Sequence, residues 1–100
     1  MKTASTDRHE IAARELFDIH AQLERARIDL ETANWRYELA RGAAQQAKER
    51  LELSETPLAQ MESCEANQRM RQLEQVRDSA QAVVGELERV KDGLLSKLVT

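Results

Sequence analysis

His20 and Glu24 stand four residues apart, a spacing that brings two side chains onto one face of a helix, where they could share a metal ion. A metal site takes three or four ligands. Asp18 and Asp29 do not complete one, and the chain has neither a His-Glu-x-x-His nor a paired-cysteine spacing. Cys64 is the single thiol and has no histidine near it in sequence, so it reads as a surface thiol rather than an activated nucleophile. The carboxylate pairs Glu62 with Glu65 and Glu86 with Glu88 fall on convex helix surface, whereas acid–base catalysis needs a cleft that excludes water. His9 falls near a helix start and reads as an end residue. The expectation is therefore a non-enzyme with no catalytic, cofactor-binding or metal-ligating residues.

The composition limits what elements can carry these residues. Of 100 residues, 41% are apolar, 33% are charged and only three are aromatic. Three glycines and one proline supply almost no turns, which excludes a β architecture of this length. One cysteine allows no intrachain disulfide and fits a reducing compartment. The first ten residues carry no apolar stretch of the kind found in secretory signals, and no apolar run reaches the ~20 residues of a membrane span. A cytoplasmic protein with no membrane partner is expected. The net charge is -3, with nine basic and nine acidic groups in the first fifty residues and six and nine in the second. Neither half has the basic excess that drives phosphate binding.

Residues 1–6 are small and polar and are expected to be disordered, with Asp7 and Glu10 as a capping pair. Helix 1 is then expected over about 7–54. From Ala12 to Leu51 the residues spaced alternately four and three apart are all apolar or aromatic. One row is Leu16, Leu23, Leu30, Tyr37, Ala44 and Leu51; the other is Ala12, Ile19, Ala26, Ala33, Ala40 and Ala47. This heptad repeat belongs to a helix that lies along another helix. Ser54-Glu55-Thr56-Pro57 interrupts it, with a turn at 55–56. Thr56 as N-cap and Pro57 as first helical residue open helix 2, expected over about 57–98. A single kinked or domain-swapped helix is the alternative.

Helix 2 carries one row of Leu73, Ala80, Leu87 and Leu94, with Ala59 and Ala66 before it. Its second row is expected to be Val76, Val83 and Val90, which places Glu62 and Arg69 in the seam near the turn. If the chain folds back at Pro57, Leu23 faces Val90, Ile19 faces Leu94, Ala26 faces Leu87, Leu30 faces Val83, Tyr37 faces Val76 and Ala40 faces Leu73. The half far from the turn should then be well packed and the half near it loose. The expected fold is all-α: an antiparallel two-helix coiled-coil hairpin forming a single domain over 7–100. Alanine-filled seams bury little, so the hairpin is expected to dimerise into an elongated four-helix bundle.

Helix 1 has more apolar residues than this seam uses. Phe17, Ala21, Ile28, Trp35 and Leu39, with Gly42, form a second stripe on the side away from helix 2. Met61, Cys64, Met70 and Val84 are the corresponding leftovers in helix 2. The stripe is expected either to form the core of a homodimer or to receive another protein, with an aromatic anchor as interfaces have.

The expected role is a protein–protein interaction module, a small bacterial or phage adaptor, chaperone or inhibitor. Two alternatives are a self-assembling structural component of a secretion or phage apparatus and a hairpin dimer that binds RNA or DNA. For the latter, Arg25, Arg36, Arg41 and Arg50 would gather near Trp35 and Tyr37. In architecture, though in no motif, such a dimer resembles the Rop-like plasmid regulators, a resemblance that implies RNA. Length and layout are similar to the WXG-type secreted hairpins, but Trp35 is followed by Arg36-Tyr37 in mid-helix, so their defining motif is absent. In shape the chain also resembles stalk and chaperone proteins of bacterial export systems.

Overall fold

A computed structural model describes residues 4–99, with side chains from Arg8 onward. Two helices, α1 (Ala4–Leu53) and α2 (Pro57–Val99), pack against each other as a hairpin measuring 80 × 15 × 15 Å. At 1.5 Å per residue, the 50 residues of α1 account for most of that length. The described residues contain no strand.

The N-terminal boundary differs from expectation. α1 begins at Ala4, so Asp7 lies within the helix and does not cap it. Ala4-Ser5-Thr6 contains no proline or glycine, and extending a formed helix by one residue is far easier than starting one. Met1–Thr3 of the expected disordered segment lie outside the described residues.

The turn follows from local chemistry. The Ser54 amide donates to the Arg50 carbonyl at 2.9 Å, adding one last α-type bond beyond α1. The Thr56 amide then donates to the Ser54 carbonyl at 2.8 Å, a three-residue turn centred on Glu55. Thr56 Oγ1 accepts from the Ala59 amide at 3.1 Å, and its carbonyl accepts from Gln60 at 3.0 Å. Thr56 is thus the N-cap of α2, with Pro57 at the position whose amide has no helical partner. No described residue has a positive φ, which is why α1 ends without a glycine. At the other end, Gly93 does not stop α2, and beyond it Leu94 is buried and Leu98 half-buried on the seam side of the helix.

Along α1 all twelve seam positions are buried or half-buried. The alanine row (Ala12, Ala26, Ala33, Ala40, Ala47) is buried throughout, and so is Ala44. Side chains this small let two backbones approach closely. Leu23 is completely enclosed, in a cluster with Ala26 and Val84 onto which Leu30 and Leu87 pack.

α2 presents a different face from the one expected. Ala59, Ala66, Leu73, Ala80, Leu87 and Leu94 do lie in the seam, but the second row is Ser63, Met70, Arg77, Val84, Lys91 and Leu98. Val76, Val83 and Val90 are 52%, 52% and 41% exposed and flank the seam instead of filling it. Their expected partnerships with Tyr37, Leu30 and Leu23 are replaced. Arg77 stacks on Tyr37, 4.3 Å from the ring centroid, and Val84 joins the Leu23 cluster.

The reason lies in the whole row rather than its middle. The valine row continues through Glu62 and Arg69 towards the turn and Lys97 towards the end. Using it would press two charges against the closely packed alanines of α1. The chosen row places Ser63 and Met70 there. Its own cations, Arg77 and Lys91, have stems long enough to cover apolar surface while their heads reach water. Near the turn the seam is therefore closed, by Ala40, Ala44, Ala47, Ala59 and Ser63, where a loose half was expected.

Candidate protein-binding face

Turning α1's heptad seam towards α2 leaves the opposite side of the helix without a covering element. Phe17 is 76% exposed, Ile28 60%, Trp35 65% and Leu39 55%, and Ala21 and Gly42 are exposed with them. At 100° per residue, Phe17, Ala21, Ile28, Trp35 and Leu39 lie within about 20° of one line along the helix. The stripe expected from sequence is thus a straight apolar ridge about 33 Å long, from the 22 residues it spans at 1.5 Å each. Gly42 adds a gap at one end, since a side chain there would meet nothing within 4 Å.

Two shallow depressions border this ridge. Leu39 and Arg36 line one with Ala43, Ala66, Arg69 and Leu73, on the side where Val76, Val83 and Val90 emerge from α2. Phe17 lines the other with Ala13, Leu16, His20 and Lys91. Sequence reasoning assigned the three valines to the seam and so missed them as surface. The signal against that row was the charge it carries, at Glu62 and Arg69, which the expected seam already included, and at Lys97. Of the leftovers expected on α2's surface, Met61 and Cys64 are exposed, whereas Met70 and Val84 belong to the seam.

The polar candidates are dispersed. His20 Nε2 lies 3.4 Å from Glu24 Oε1, a pair on the exposed surface, and the described residues contain no group of three ligands able to hold a metal. Arg41 bridges to Glu38 at 3.4 Å, and Arg27 reaches Glu88 on the other helix at 3.5 Å. Both pairs are about half exposed, so each contributes little to stability. Arg25, Arg36, Arg41 and Arg50 are all exposed, but the structure separates the two aromatic rings they were expected to join. Trp35 faces outward, while Tyr37 lies in the seam under Arg77. Arg77 also donates to Asp78 Oδ1, at 2.9 Å from Nη2 and 3.2 Å from Nε. This bond, more than the nearby negative charge, raises its pKa further.

No described helix is long and apolar enough to cross a membrane. In comparisons with protein-family models, curated proteins and solved structures, nothing matches this chain.

Proposed function

We propose that this chain is a non-enzymatic protein-binding module that recognises a helix through the outer face of α1. One observation carries the proposal. Four large apolar side chains, including the only tryptophan, stand more than half exposed on one line of a rigid helix. A single exposed apolar residue is ordinary, but a contiguous ridge with an aromatic anchor has the make-up of an interface core. The ridge is convex and lacks convergent polar groups, which suits a long complementary helix better than a small ligand. Its backbone is held by the seam on the other side of α1, so little ordering is needed when the partner arrives.

A photo-crosslinking amino acid placed at Trp35 in the cells that make the protein tests this directly. A polypeptide adduct is expected at position 35 and not at the exposed control position Glu52. The absence of any polypeptide adduct at 35, or a nucleic-acid adduct there, would reject the assignment.

A further inference from the structure

We infer that the helix received by the outer face of α1 is α1 of a second copy, running antiparallel about a two-fold axis at Ile28. This rests on the protein-binding role proposed above and names its occupant. The ridge is symmetric in sequence about Ile28. Eleven residues separate Phe17 from Ile28 and Ile28 from Leu39; seven separate Ala21 from Ile28 and Ile28 from Trp35. Two antiparallel copies therefore meet as Phe17 on Leu39, Ala21 on Trp35 and Ile28 on Ile28, with each pair occurring twice except the central one. The indole of each copy lies over the small Ala21 of the other, an alternation of large and small that fills a helix–helix interface. This is an isologous contact, in which one surface complements itself.

Shape selects the antiparallel direction. A parallel pair would instead set Trp35 on Trp35, Phe17 on Phe17 and Ala21 on Ala21, crowding two layers and leaving the third empty.

The area is also sufficient. A large side chain can bury ~150–250 Å². At the exposures given above, Phe17, Ile28, Trp35 and Leu39 offer on the order of 500 Å² per copy, or ~1,000 Å² for two. Ala21 and the stems of Arg25 and Glu31 bring the total to the ~1,200 Å² at which specific interfaces begin. Because the ridge lies opposite the seam, the four helices form a layer with the two α1 helices at its centre, rather than a square bundle.

The test combines mass with cross-linking in the full-length chain carrying Cys64→Ser, which removes the exposed native thiol. Light scattering should give twice the chain mass, and Trp35→Glu should give the single-chain mass with unchanged helical circular dichroism. Ile28→Cys should oxidise to a disulfide-linked dimer. Phe17→Cys alone should not link, since the two copies of residue 17 lie ~33 Å apart at 1.5 Å per residue. Mixed with Leu39→Cys, it should form a heterodimer through a short bifunctional thiol reagent. Ala21→Trp should weaken dimerisation, because it fills the space that the indole of the other copy occupies. Self-linking of Phe17→Cys would overturn the antiparallel arrangement. A single-chain mass at all concentrations, or a dimer without linkage at 28, would overturn the interface. If the purified chain is monomeric while position 35 links to a different protein in cells, this inference fails and the protein-binding role survives. If position 35 captures no polypeptide and no dimer forms, both fail.

Discussion

Val83 and Val84 are neighbours with the same side chain and opposite fates, which makes them the sharpest probe of how α2 faces α1. Val84 is buried against Leu23 and Ala26, while Val83 is half exposed. Val84→Asp should abolish cooperative thermal unfolding, because it places a charge in the tightest cluster of the seam. Val83→Asp should cost less than about 1 kcal/mol in urea denaturation. Equal effects would mean the helix is rotated from the orientation described. Leu23→Ala should cost ~2–5 kcal/mol by the same measurement, as for other enclosed leucines. Arg77 is a different case. It occupies a seam position, stacks on Tyr37 and bonds Asp78, yet its head remains partly in water. Arg77→Leu should raise the melting temperature, since a branched apolar side chain fills the same position without a charge to hydrate. A fall would show that the stacking outweighs that cost.

At the scale of elements, the connection between the helices is three residues long and depends on one hydroxyl. Thr56→Ala should cost ~1 kcal/mol and Thr56→Ser almost nothing, as judged by chemical denaturation, because serine offers the Ala59 amide the same acceptor. The two helices are joined by two kinds of packing. Alanine and serine close the seam near the turn; leucine, isoleucine and valine fill the far part. Small side chains exclude water but bury less apolar area. Amide exchange should therefore be slowest around Leu23 and Leu87 and faster around Ala44 and Ala66, although both regions are closed. Uniform protection along α1 would contradict this division. The seam on α1 was legible residue by residue, because all twelve positions are apolar and only one helical face contains them. The seam on α2 was half legible. Two adjacent rows, three and four residues on from Leu73, compete for the place beside it. The one richer in apolar residues over its middle, the valines, is the one that would bury Glu62 and Arg69.

For the whole molecule, an 80 Å rod in which Leu23 is the one large side chain fully enclosed among the described residues is a minimal core, and the ridge on α1 leaves four large apolar side chains exposed. If a second copy covers it, the melting temperature should rise with protein concentration, because association stabilises only the folded chain. Sequence alone determined the helical class, the two-element division, the Thr56-Pro57 cap and the ridge of Phe17, Ile28, Trp35 and Leu39. Each of these depends on local chemistry or on the period of a single helix. Only the tertiary structure decided which row of α2 enters the seam and therefore which residues remain outside it. That choice compares the cost of burying Glu62 and Arg69 near the turn with the cost of bending Arg77 and Lys91 towards water further along. Both costs depend on how close α1 lies, which no single-helix pattern contains.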